Sequence, residues 1–362
     1  MKDLFLNIFD YRSQNNIFNQ FIRTIIVVFE KYKIFFKVKV LKYREVILVY
    51  DCKVSPGTFG EFMEILLLAR AIKNYNLKIK IILITGEYRE SWFDRFDNIS
   101  IKKHIKYMSF MSKKILSKNS QFFFEMNWQD FSKKFINKKS NKTFILFKRK
   151  VFRRRPIYKH AVNLTNHILN KNANLQNKTL LKSNDINISI KKSFFFKNYI
   201  CIGCRHELNK SERNLTKGLF IRMIKKLNKF YPNHEKVIVS NTSGCNYFKR
   251  VAIKYSLNCK FSKDYSNDFL GDGKIILNSK AFFEIRGGGI SAFALFSRVP
   301  FIKVNSYHPG EHHYIFWSKS KNKVYSWQRD NQIFIFMPNS LSKKVNDELF
   351  FKKLNQFNFS RN

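Results

Sequence analysis

Apolar and polar positions along this chain alternate between short, unbroken apolar runs and longer stretches of helical period. Residues 46–50 (VILVY) are bounded by charge and predict a buried strand. They are followed by the loop DCKVSPGTFG and by EFMEILLLARAIKNY (residues 61–75), whose periodicity predicts a helix. A second apolar run, Ile79 to Ile84, closes a strand–loop–helix–strand unit with an expected right-handed crossover. Between residues 100 and 150, Phe-rich and Lys-rich pieces interleave without a readable period, and no element is assigned there.

The same rhythm resumes after residue 190. Strands are expected at Tyr199–Gly203, Lys236–Ser240, Lys274–Leu277 and Pro300–Val304. Helices are expected around Lys217–Phe230, around Tyr247–Ser256 and from Ser291. Between the two regions, LNKNANLQNKTLLKSND has the Asn, Lys and Ser content of turns and linkers, which puts a domain boundary near residue 190. The expected organisation is a basic, apolar N-terminal segment (1–45), an N-terminal domain (46–190) and a C-terminal domain (191–362). Alternating strands and helices in both halves argue an α/β protein of two Rossmann-like, doubly wound domains.

At 362 residues, with 44% hydrophobic content and 40 Phe, the chain can bury two cores. Lys and Arg number 68 against 25 Asp and Glu, a formal charge of +43. That excess favours polyanions: nucleic acid, an anionic membrane surface or phosphate-bearing small molecules. General enrichment in Lys, Asn, Ile and Phe accounts for it equally, since only Lys148 to Arg155 (KRKVFRRR) forms a dense basic block. The 5 cysteines are an odd count, and the start MKDLFLNIFDYRSQNN shows no cleavable leader, which predicts reduced thiols in the cytoplasm. The longest N-terminal apolar run, Phe21 to Phe29, contains Arg23 and is shorter than the ~18 residues a spanning helix needs. Residues 17–41 therefore fit either a surface that touches a membrane or one that packs on the body.

Three stretches can carry chemistry. The first is EIRGGGISAF (residues 284–293), where Gly287, Gly288 and Gly289 sit between an apolar stretch and a helix. Such a turn leaves amides free at a helix N-terminus for an anion, or serves only as a tight turn needing positive φ. It matches neither the dinucleotide fingerprint nor a Walker loop. The second is Ser55-Pro56-Gly57-Thr58-Phe59-Gly60-Glu61, which reads as a Pro-Gly turn with a Thr58/Glu61 capping box at the end of a strand. The third is Gly203-Cys204-Arg205-His206-Glu207, also at a strand end, with Arg213 and Asn214 close behind. HPGEHH (residues 308–313) contains liganding types, but Pro309-Gly310 precludes a helix presenting two His on one face, so no metal is expected. Cys201-x-x-Cys204 lacks a second pair and reads as burial along a strand.

The segment FFEIRGGGISAFALFSRVPFI resembles the donor-side segment of two-Rossmann-domain (GT-B) glycosyltransferases, where a Gly-rich turn opening a helix holds the donor's diphosphate or nucleotide. GCRHE loosely resembles the strand-end basic motif of fucosyltransferase-type members, with Arg205 at the position that contacts the β-phosphate. The resemblance implies two domains facing a cleft, the first on the acceptor side and the second on the nucleotide-sugar side. On the donor it implies Arg205, Arg213, Asn214, Ser240, Asn241, Glu284, Arg286, Gly287, Gly288, Gly289 and Ser291; on the acceptor side it implies the loop from Ser55 to Gly60. Leaving-group charge would be met by cationic side chains and amides without metal or cofactor. The acceptor proton would go to Asp51, Glu61 or His206. The expected partners are a nucleotide-sugar and a glycan or lipid-linked acceptor of cell-envelope or surface polysaccharide synthesis. Peripheral attachment to the inner face of an anionic membrane is a further expectation. A basic nucleic-acid-binding protein and a GT-B-shaped sugar-nucleotide epimerase are the rival readings; recognisable nucleic-acid motifs are absent.

Overall fold

The computed structural model describes residues 36–53, 77–86, 98–116, 123–137, 142–147, 181–191, 198–206, 214–285, 289–307 and 331–338, together with single or paired positions within 25–33, 55–69, 149–163 and 348–354. The chain divides into two compact units, residues 1–179 with 325–327 and residues 180–324 with 328–362.

The first unit is built on a parallel sheet. β1 (Glu45–Asp51) and β2 (Lys78–Ile84) form where the apolar runs predicted them. Helical positions from Phe59 to Ala69 lie between them, with Phe62, Met63, Ile65 and Leu66 buried. The unassigned stretch contains a helix, Asn98–Leu116, then β3 (Phe123–Met126), a short helix (Trp128–Phe131) running into a π-turn, and β4 (Thr143–Phe147). These elements escaped the sequence reading because their polar spacing is supplied by lysines, and β4 is only alternately buried. The strand order is β3-β2-β1-β4, all parallel, so the chain reverses direction across the sheet beside β1. Ile47, Val49, Ile82, Ile84 and Phe131 make up a core cluster on this sheet. Within the basic block, Arg149–Lys150 is β5, paired antiparallel with β6 (Val162–Asn163); its remaining residues lie outside those described.

The second unit carries a six-stranded parallel sheet of β7 (Tyr199–Gly203), β8 (Glu235–Val239), β9 (Lys260–Phe261), β10 (Phe282–Ile285), β11 (Phe301–Tyr307) and β12 (Gln332–Pro338). The order β12-β11-β10-β7-β8-β9 winds outward from β7 to β9, returns to β10, and winds outward again. The helix Lys217–Phe230 starts where Thr216 accepts a hydrogen bond from the Leu219 amide, and it buries Leu219, Phe220, Met223, Ile224 and Leu227 on one face. That face joins Ile200, Ile202, Ile238 and Phe283 in the principal core.

Two expectations here need correcting. Residues 274–277 are not a strand but the second half of a helix, Phe269–Leu277, which the Asp268 carboxylate starts by accepting from the Leu270 amide at 2.7 Å. The strand position falls instead to FFEI, buried on both faces. The helix expected from Tyr247 begins at Thr242, because Asn241 Oδ1 accepts from the Gly244 amide at 2.8 Å. Helix Phe269–Leu277 is held by Tyr199 Oη, which donates to the Ile275 carbonyl at 2.7 Å, and by close approach to Phe293: a Cβ on Gly273 would lie 2.4 Å from that ring.

Candidate functional site

In a parallel sheet every strand delivers its following loop to the same edge, and ligands bind at that edge where the winding reverses. In the second unit that place lies between β7 and β10. These strands pair directly, with Glu284 opposite Gly203. The two stretches the sequence singled out, Arg205-His206 after β7 and the glycine turn after β10, thus leave adjacent strands at one edge. Nothing in their spacing along the chain, some eighty residues, required it.

Arg205 and His206 are half-buried. Their backbone is held on either side: the Cys204 amide donates to the Val239 carbonyl at 3.0 Å, and the Leu215 amide returns to the Arg205 carbonyl at 2.9 Å. The His206 ring stacks on Tyr247, with centroids 4.0 Å apart and planes 18° apart. Arg213, Arg286, Gly287 and Gly288 lie outside the described residues; Asn214 is half-buried beside Leu215, and Gly289 is exposed at the start of the turn Gly289–Ser291 that leads into the short helix Ala292–Leu295.

Glu284 and Ser291 are tied together by a third residue. Glu284 is 2% exposed, and its Oε2 lies 3.2 Å from Lys303 Nζ, in the facing register of β11. The same ammonium donates to Ser291 Oγ. Lys303 therefore joins a residue that precedes the glycine run to one that follows it, in a buried network. Gly203 makes room for it: a Cβ there would lie 2.9 Å from Glu284 Oε1 and 2.8 Å from Phe282 Cζ. The sequence offered a signal for Lys303, a lone charge inside PFIKV, but its partner sits on another strand.

On the next strand, Ser240 is buried and its Oγ has no hydrogen-bond partner among the described residues, while the Asn241 side chain is engaged as helix cap. Gly244 lets Ser240 approach, since a Cβ there would lie 2.1 Å from its Oγ. Farther along the edge, the buried Asp272 pairs with Lys263. Burial pushes its carboxyl up to about 6 despite the opposing ammonium. This pair was not foreseen. The thiols of Cys201, Cys204 and Cys245 are buried and free, and burial raises all three above their ordinary range.

In the first unit, Asp51 ends β1 at that sheet's own reversal point, buried, with Oδ1 accepting from the Lys53 amide at 3.0 Å. The Ser55 amide donates to the Asp51 carbonyl at 2.7 Å; Ser55 and Phe59 are both buried. Pro56, Gly57, Thr58, Gly60 and Glu61 lie outside the described residues, as does HPGEHH. Among the described residues no group of three His, Cys, Asp or Glu gathers as a metal site needs, and no helix is long and apolar enough to cross a membrane.

No family profile and no curated protein matches the chain. Among solved structures it is similar to a glycosyl transferase family 9 protein from Veillonella parvula (8% identity, 87% of this chain and 90% of that one, TM-score 0.43). It is also similar to the E. coli heptosyltransferase WaaC with ADP (13%, 86% and 98%, TM-score 0.42) and to the E. coli ADP-heptose LPS heptosyltransferase II (10%, 86% and 98%, TM-score 0.43).

Proposed function

We propose that this protein is a GT-B-type glycosyltransferase that takes its sugar from a nucleotide-sugar and delivers it to a glycan or lipid-linked acceptor in envelope or surface polysaccharide synthesis. The observation that supports this reading is the pairing of β7 with β10, with Glu284 opposite Gly203, which sends Arg205 and the glycine turn to one sheet edge at its reversal point. A guanidinium and a run of amides at a helical N-terminus are what a departing diphosphate needs, because its charge grows as the glycosidic bond breaks. In this reading Arg205, with Arg213, Arg286 and the amides of 287–289, holds the phosphates. Ser240 Oγ, buried with no partner among the described residues, is available to the nucleotide. The Glu284–Lys303–Ser291 network positions the turn and does not touch the donor. Asp51, Glu61 and His206 are the candidates for the acceptor's base, and no metal or cofactor takes part.

The test is a thermal-shift screen of the whole chain against UDP-, GDP-, ADP-, CMP- and dTDP-sugars, with polyphosphate and an oligonucleotide as charge controls. Ligand at 100 times its Kd contributes about 2.7 kcal/mol of apparent stability. One nucleotide should stand out, and its shift should vanish in Arg205→Ala and Gly288→Val. Equal shifts with every polyanion, untouched by those changes, would overturn the reading in favour of a nucleic-acid or polyanion binder. Release of an altered sugar-nucleotide without acceptor would convert it to an epimerase.

A further inference from the structure

Exposed apolar side chains are scattered singly over most of the described surface, with one exception. Of the 11 large apolar or aromatic side chains exposed among the described residues, 6 lie between positions 25 and 41. Ile25, Phe29, Tyr32, Phe36 and Val40 are 49%, 66%, 67%, 50% and 55% exposed, in a segment helical at every described position from 25 to 39. At 100° per residue these five fall within an arc of about 80°, a single stripe. Burial elsewhere on the helix follows the other side: Lys37 and Val38 are half-buried, with Lys37 Nζ 5.4 Å above the Tyr43 ring and 5.5 Å above the Phe144 ring. The described helical positions are thus fastened to the first unit through Lys37 and carry apolar, aromatic side chains that face outward.

The charge around the stripe indicates what covers it. Lys33 and Lys39 flank it, exposed, and Lys42 and Arg44 follow, also exposed. Residues 21–44 hold seven Lys and Arg against one Glu, on a chain of +43. A second copy of this chain would bring the same positive surface against itself, so that pairing is electrostatically opposed. An aromatic and aliphatic stripe edged by lysines matches an anionic lipid surface, where rings enter the headgroup boundary and ammonium groups meet the phosphates. We propose that these helical positions lie in the interface of an anionic membrane through Phe29, Tyr32 and Phe36. The proposal stands independently of the donor chemistry.

Flotation of the whole chain with phosphatidylglycerol-containing vesicles, against phosphatidylcholine vesicles alone, tests it. Because a protein this basic would meet anionic lipid by charge in any case, the decisive variant is Phe29→Ser/Tyr32→Ser/Phe36→Ser, which keeps every charge. Wild type should float with the anionic vesicles and remain bound when salt is raised, whereas the triple variant should partition at least about tenfold more weakly. Its melting temperature should be unchanged, since those side chains are exposed. Equal partitioning of variant and wild type would reduce the association to charge and overturn the proposal, as would failure of wild type to float. A dimer in sedimentation that the variant abolishes, without vesicle binding, would assign the stripe to a second copy.

Discussion

Lys303 Nζ lies 3.2 Å from Glu284 Oε2 with both side chains almost wholly buried, and the same ammonium donates to Ser291 Oγ beyond the glycine turn. A buried ion pair is weak evidence of net stabilisation, yet removing one partner strands the other charge. Glu284→Gln should therefore lower unfolding free energy by about 3 kcal/mol or more. The double variant Glu284→Gln/Lys303→Met should lose less than the sum of the two single changes, read from urea unfolding. Additive losses would mean that the two groups do not share a network.

Two glycines should respond in opposite directions to the same methyl group. Gly203→Ala places its Cβ against Phe282 and Glu284, inside the network, and should destabilise by about 1–3 kcal/mol. Gly218, in the first turn of the helix Lys217–Phe230, has nothing within 4 Å of an added Cβ. Gly218→Ala should stabilise by roughly 0.5–1 kcal/mol through the lost freedom of the unfolded chain. Thermal unfolding of the pair separates the steric effect from the entropic one.

Asp272 gives stability a definite pH slope. Its carboxyl is held by burial at about 6 in the folded protein against an ordinary 3.8, so between those values the native state binds the extra proton. This group's contribution is then largest at acid pH and falls as pH rises toward 6. Asp272→Asn removes the slope, so the stability of the variant relative to wild type should rise by about 2 kcal/mol between pH 4 and 6 and level off above about pH 7. A flat difference would mean that the carboxyl titrates at its ordinary value.

Asn241 separates cap from ligand contact. Asn241→Ala should cost about 1 kcal/mol through the lost bond to the Gly244 amide, and Asn241→Asp should restore it. If nucleotide-sugar affinity follows the cap, falling in the alanine variant and returning in the aspartate one, the side chain works by orienting the Ser240–Asn241 turn. Affinity lost in both variants with stability kept in the second would make it a direct contact.

Much of the molecule was legible along the chain, for local reasons. VILVY, YICIG and VIV are apolar throughout because parallel strands covered on both faces have no polar side, and the helix Lys217–Phe230 was legible from its period. Elements failed where the signal was not local. KIIL has strand composition but is helical, because Asp268 starts a helix that Gly273 and Phe293 hold in close packing. Glu284 and Ser291 stand beside the glycine turn, and no local pattern shows that β11 brings Lys303 between them.

By itself, then, the sequence determined most of the strands and helices outside residues 100–150 and 274–285, and the fact that Arg205 and the glycine turn each follow an apolar stretch, since these rest on period and propensity within a few residues. Only the tertiary structure decided that β7 and β10 are neighbours, that Gly203 is small so that Glu284 can lie across it, and that a lysine on a third strand joins residues on either side of the glycine run. Strand order is settled by hydrogen bonds between segments far apart in the chain and by the burial they share, and no local pattern encodes which strand will stand beside which.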